Sequence, residues 1–219
     1  MNLEEVRKQY RDREDEIQDR LEDFRELRDA GDQRLFRELA FVIMSSRSEA
    51  ENAWDAAVRM DRSGHLFKSG REEIERVLAE HEIQYEREKA GYIVENREKL
   101  SQPTLEDPSG DLKLKDRVNP DRLDSSRDWF QENVKGIGMK GASHFLRNIG
   151  YGDRFAIVSG YIAKKLYELD MKDSPEPPAD RGEYMECEES VRRVAEKTGI
   201  DLKALDLVLW SMETGEVFR

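Results

Sequence analysis

The chain has 219 residues, of which 37 % are hydrophobic and 39 % charged, with 49 acidic against 37 basic side chains and a formal charge of -12. That length suits one large domain or two small ones, and the single cysteine, Cys187, excludes an internal disulfide and any cysteine-ligated cluster. The longest uncharged apolar run, LAFVIMSS, is too short to cross a bilayer, and the charged start MNLEEVRKQYRDRED carries no signal or transit peptide, so a cytoplasmic protein with no membrane partner is expected.

In chain order, residues 3–29 predict one helix, because Leu3, Val6, Tyr10, Ile17, Leu21, Phe24 and Leu27 recur at steps of three, four and seven. Gly31 ends it, and Asp32 is the expected N-cap of a second helix, DQRLFRELAFVIMSS, whose later half is apolar all round and therefore central to a core. A third helix runs through Ala57 and stops near DRSGH. SGREEIERVLAEHE opens a fourth, with acids in its first turn, and YEREKAGYIVENREKL forms a fifth. SQPTLEDPSGDL reads as a loop, Pro120 suits the first turn of a helix through Phe130, and MKDSPEPPAD is a second long loop. Two last helices fall at about 183–198 and 201–214. FAIV, at 155–158, is the only strand candidate, so the predicted class is all-α, with about ten helices.

The stretch NVKGIGMKGASHFLRNIG, from Asn133 to Gly150, stands out. From Asn133 to Arg154 four cations (Lys135, Lys140, Arg147, Arg154) face one anion, Asp153, which makes the window +3 in an acidic chain. The pattern fits a helix–hairpin–helix over 126–149. Trp129, Phe130 and Val134 pack its first helix, Gly136-Ile137-Gly138 makes the turn, and Ala142, Phe145, Leu146 and Ile149 line the second helix. The glycines are expected to take positive φ, and Ile137 to plug the hairpin into the core. Backbone N–H groups at a helix start then form an anion site, which suits a DNA phosphate without reading sequence. Lys140 lies in the first turn of the second helix, where the macrodipole, and partial burial if present, would depress an amine's pKa and make it nucleophilic. The alternative for Lys140 is a solvated lysine touching phosphate.

KGIGMKGASHFLRNIGY resembles the helix–hairpin–helix glycosylase superfamily, and more narrowly the archaeal-type second family of 8-oxoguanine DNA glycosylase/AP lyases. The resemblance extends through LFRELAFVIMSSRSEA, EREKAGYIVENREKL and LDLVLWSMETGEVFR, so it spans nearly the whole chain. It implies two helical subdomains flanking a cleft, at 31–150 and at 1–30 plus 151–219. It also implies a monomeric, nucleoid-associated repair enzyme whose partner is double-stranded DNA carrying an oxidised purine or an abasic site, acting by base flipping with no metal and no cofactor. Lys140 matches the family's catalytic lysine, which attacks C1′, expels the base and forms a Schiff base before β-elimination. Tyr85 and Trp210 match aromatics that sandwich the flipped base, a stack of about 1–3 kcal/mol per aromatic, although ordinary core packing is the other reading of both. Arg219 stands at the family's terminal lysine, whose carboxylate is an apt acceptor for the N7–H that distinguishes 8-oxoguanine. Lys135, Gly136, Ile137 and Gly138 would hold phosphate.

Two positions depart from the family's pattern. The catalytic Asp expected just past the run Ala156-Ile157-Val158 is Ser159, and Asp153 lies six residues earlier. A hydroxyl replaces a carboxylate poorly where positive charge develops on a sugar. Base excision is therefore expected to be weakened, with AP-lyase activity retained. Arg47 stands where the family often has Asn filling the hole left by the flipped base; it would fill that hole or bind phosphate. A catalytically degenerate protein that binds damaged or abasic DNA is the alternative, and a helical protein-interaction scaffold is a third class that leaves the Gly-Ile-Gly-Met-Lys pattern unexplained.

Overall fold

The computed structural model describes residues 1–102 and 110–219. The chain divides into two compact units, Met1–Arg28 with Leu146–Arg219, and Asp29–Phe145. Both are built from helices. The strands among the described residues are the two-residue pair Ser101–Gln102 (β1) and Asp111–Leu112 (β2), antiparallel with Ser101 opposite Leu112. The loop expected over 101–112 therefore begins and ends as a small ribbon, and its residues 103–109 lie outside the described residues. No described helix is long and apolar enough to cross a membrane.

The discontinuous unit begins with α1 (Leu3–Asp12) and α2 (Glu14–Leu27). The single helix expected over 3–29 is broken at Arg13, whose φ of -129° and ψ of 18° leave helical space. A one-residue break barely shifts the apolar register, so Val6, Ile17, Phe24 and Leu27 still share a buried face. The unit resumes with a π-turn at Arg147–Tyr151, then α10 (Gly160–Glu168), α11 (Arg181–Thr198) and α12 (Leu202–Thr214). The strand candidate 155–158 is no strand. Side chains meet three of its backbone groups instead: Ala156 N donates to Glu188 Oε1 (2.9 Å), Val158 N to Tyr184 Oη (3.1 Å), and Tyr184 Oη to Ala156 O (3.0 Å). This pairing lets the apolar run 155–158 be buried without a neighbouring strand.

The continuous unit holds α3 (Asp32–Ser45), α4 (Ala50–Ser63), a short α5 (His65–Lys68), α6 (Arg71–Glu80), α7 (Glu86–Leu100), two 3₁₀ turns at Lys115–Arg117 and Pro120–Arg122, α8 (Leu123–Asn133) and α9 (Met139–Leu146), whose last residue belongs to the other unit. Gly31, rather than Asp32, caps α3; Asp32 is the first helical residue, and its Oδ1 accepts from Lys115 N at 2.6 Å. Helix α3 is central, as its composition predicts: Leu35, Phe36 and every residue from Glu38 to Met44 are buried. Gly64 closes α4 in the left-handed region, at φ 76°.

Candidate nucleic-acid interface and active site

Helices α8 and α9 and the turn between them form the hairpin expected over 126–149, except that α9 ends at Leu146, so Ile149, though buried, lies beyond it in non-helical backbone (φ -96°, ψ 22°). Phe130, Val134, Ala142 and Phe145 are buried, and Trp129 packs edge-on against Phe130 with centroids 5.2 Å apart. The two glycines of the turn differ. Gly136 has φ +87°, and a Cβ there would stand 2.7 Å from Tyr92 Cδ2 and 3.3 Å from Ile43 Cγ2, so only glycine fits. Gly138 does not take positive φ, contrary to expectation, and a Cβ there would meet nothing within 4 Å. Its surroundings are therefore open. Ile137 is half-buried rather than a full core plug; it lies against Gly141, where a Cβ would come within 2.7 Å of Ile137 Cβ.

Helix α7 anchors the turn. The buried Asn96 accepts from Lys135 N and donates to Lys135 O, both at 2.9 Å. Lys99 Nζ donates to Asn133 O at 2.8 Å, and the Lys135 ammonium pairs with Glu95. The first i→i−4 bond of the second helix runs from Ala142 N to Gly138 O (2.9 Å), so the amides of 138–141 precede the helix ladder, as at any helix start that meets an anion. Lys140 is the second residue of α9 and is exposed, so partial burial is not part of its environment.

The same unit brings Arg47, Tyr85 and Gly136 to one cavity of about 260 Å³, lined also by Ile43, Ser46, Glu88, Lys89 and Tyr92. Tyr85 is 51 % exposed, so it is not a core residue. It and Arg47 are both left-handed, at φ 58° and 59°, a region costly for side chains of this size. Arg47 Nη1 donates to Tyr85 Oη at 3.2 Å, and its guanidinium carbon lies 5.8 Å from the tyrosine ring centre. Beneath them, Lys89 is only 5 % exposed, and its ammonium donates to Met44 O (2.8 Å), Ser46 O (2.6 Å) and Ser48 Oγ (3.1 Å). Burial lowers its pKa from 10.5 to about 8.

Ser159, Trp210 and Arg219 belong to the other unit. Ser159 is the N-cap of α10: its φ and ψ are -95° and 173°, and its Oγ accepts from Ile162 N at 3.3 Å. Trp210 is half-buried on α12, with the Tyr161 ring of α10 5.2 Å away at 72°. Glu213 ties the same two helices, accepting from Lys164 (3.1 Å) and Lys165 (2.9 Å), and hydrogen bonds from Lys165 first and Lys164 second hold its carboxyl below the usual range. The guanidinium carbon of Arg219 lies 5.7 Å from the Phe24 ring centre. Asp153 is engaged by Lys203 at 2.7 Å. Among the described residues no three His, Cys, Asp or Glu side chains converge to hold a metal.

Residue type alone does not single out Lys89, Asn96, Ser48 or Tyr161. The first two had a signal: Lys89, Ile93, Asn96 and Leu100 follow at helical spacing and are all buried, so a lysine and an asparagine interrupt an apolar stripe. Helix α10 had one too, in Ser159 followed by Ile162, Ala163 and Leu166.

A family model described as 8-oxoguanine DNA glycosylase matches residues 17–200. A Fusobacterium nucleatum protein named 8-oxoguanine DNA glycosylase/AP lyase is 30% identical over 98% of this chain and 96% of its own length. A Methanocaldococcus jannaschii protein of the same name is 31% identical over 94% of this chain and 92% of its own. Among solved structures, the 8-oxoguanine DNA glycosylase of Thermotoga maritima superposes with a TM-score of 0.85 at 30% identity, covering 99% of this chain and 98% of that one. The Methanocaldococcus jannaschii 8-oxoguanine glycosylase/lyase in complex with a 15mer DNA containing 8-oxoguanine gives 0.82 at 29% identity, covering 98% and 99%.

Proposed function

The chain belongs to the 8-oxoguanine DNA glycosylase family, and from that premise we propose that it is a bifunctional DNA glycosylase and AP lyase acting on duplex DNA that carries 8-oxoguanine. The observation that carries the reading is an exposed lysine, Lys140, in the first turn of the second hairpin helix, on a chain matched over nearly its full length to proteins of that name. The hairpin from Lys135 to Gly138 takes a phosphate on backbone amides, with Gly138 leaving room for it. Tyr85 and Trp210 stack on the extruded base. Arg219 binds the extruded base, and Arg47 enters the space the base leaves.

The neutral Lys140 amine attacks C1′, and the C1′–N9 bond breaks with its electron pair leaving on the base. Loss of the amine proton and ring opening give the Schiff base. A proton is then taken from C2′, and the 3′ phosphate departs with the C3′–O electrons. Ser159 offers the developing positive charge a hydroxyl dipole in place of a carboxylate, so base excision is slower than cleavage at an abasic site, where the aldehyde is already present. The protein works as a monomer at the cytoplasmic nucleoid.

Borohydride trapping tests the reading. An adduct is expected with abasic duplex, a weaker one with 8-oxoguanine duplex, and none with Lys140→Gln. Absence of any adduct with both duplexes would leave the second reading, a damaged-DNA binder without chemistry, which Ser159 alone favours.

A further inference from the structure

Lys89 stands apart from the chemistry proposed above, yet it lies under the residues assigned to the base. Two of its three hydrogen bonds have an ordinary explanation. Met44 O and Ser46 O lie at the end of α3, where a cation satisfies carbonyls the helix leaves open. The third bond does not follow from capping. Ser48 Oγ accepts from Lys89 at 3.1 Å and also from Gln84 N at 2.9 Å. Gln84 immediately precedes Tyr85, and Ser46 and Ser48 bracket Arg47. One ammonium thus fixes the backbone before Arg47, the side chain after it, and through that hydroxyl the entry to Tyr85.

Both residues so held are left-handed without being glycine. Such conformations persist only where the surroundings over-determine them. The ammonium has three protons and three oxygen acceptors, none of them charged, so its geometry is fully committed.

We propose that Lys89 is a positioning residue which, through Ser48, sets Arg47 and Tyr85 in the arrangement that distinguishes a lesion from an ordinary guanine. This rests on the functional reading above and adds to it a residue that acts through Ser48. The bond to Ser48 predicts that discrimination, rather than the reactivity of Lys140, is what the lysine controls.

The test uses the full chain. Affinities for a duplex with one 8-oxoguanine and for the same duplex with guanine are measured in a Lys140→Gln background, where no turnover occurs, for Lys89, Lys89→Met, Lys89→Arg and Ser48→Ala. Borohydride trapping on abasic duplex is measured with Lys140 intact. Lys89→Met and Ser48→Ala are expected to reduce the lesion preference by about tenfold, the scale of one hydrogen bond to a charged group, while abasic trapping keeps at least about half its yield because it needs no base recognition. Lys89→Arg, which retains the charge and the donors, recovers part of the preference. An unchanged preference in both Lys89→Met and Ser48→Ala overturns the proposal, and so does a parallel loss of trapping, which would mean a merely structural role. Ser48→Ala keeps the test decisive if Lys89→Met fails to fold, because it leaves the ammonium two acceptors. A parent protein with no preference for 8-oxoguanine would instead refute the functional reading itself.

Discussion

Replacing Ser159 by Asp restores a carboxylate where the family's catalytic acid is expected, and the local structure predicts that the fold tolerates it. Ser159 has the extended backbone of an N-cap and accepts one bond from Ile162 N. Asp caps helices as well as Ser does, and its charge at the start of α10 gains about 0.3–1 kcal/mol from the macrodipole. The adjacent Gly160 leaves the cap uncrowded, since a Cβ there would meet nothing within 4 Å. Stability should therefore change by less than about 1 kcal/mol in either direction. The effect on chemistry is larger. A group aimed at charge that develops only in the transition state is worth about 10²–10³ in rate, so Ser159→Asp should raise single-turnover excision of 8-oxoguanine by roughly that factor. Abasic-site cleavage should change by less than about tenfold, because the aldehyde condenses with Lys140 without breaking a glycosidic bond. Quenched-flow excision assays on 8-oxoguanine and abasic duplexes, beside thermal melts, measure all three quantities. A well-folded Ser159→Asp protein that excises no faster than its parent would refute the reasoning that the missing carboxylate limits base removal.

The two hairpin glycines should separate stability from binding. Gly136→Ala forces a side chain into left-handed space against the Tyr92 ring and should cost about 2–4 kcal/mol in a denaturant melt. Gly138→Ala should alter stability by less than about 1 kcal/mol but weaken duplex binding regardless of sequence, read as affinity against salt. Lys89 should leave a signature in pH. Its pKa is 10.5 when unfolded and about 8 when folded, so between those values the unfolded chain binds more protons. The cost of burying the charge is then fully present below pH 8 and is relieved as pH rises toward 10.5. Stability relative to Lys89→Met should rise across that window by at most about 3 kcal/mol, and a flat difference would contradict the burial of a charged amine.

Helical periodicity made the all-α class readable, because most helices carry an unbroken apolar stripe. The same periodicity concealed the break at Arg13, since one non-helical residue hardly disturbs a stripe. It also could not show that residues 155–158 would be satisfied by Glu188 and Tyr184, groups remote in sequence. The hairpin was legible because glycine spacing is a local signal. The cavity was not: Arg47, Tyr85 and Gly136 come from three separate segments, and only packing joins them. Lys89 and Asn96 lie between these cases, visible as polar interruptions of a buried stripe but with partners that only tertiary structure supplies.

Asn96 has a wider consequence. Its amide imitates a peptide group, exchanging both a donor and an acceptor with Lys135, and so rivets the turn to α7 as one strand is riveted to another. Tyr85 stands at the start of that same helix. A helix rises about 1.5 Å per residue and hardly stretches, so the interval from the riveted turn to the Tyr85 ring is a fixed length of roughly 16 Å along the axis. Helix α7 is in effect a measuring rod between the hairpin turn and the Tyr85 ring. Inserting or deleting one residue between Tyr85 and Asn96 would move the ring by about 1.5 Å and swing it by about 100°, and no adjustment of the hairpin could follow it.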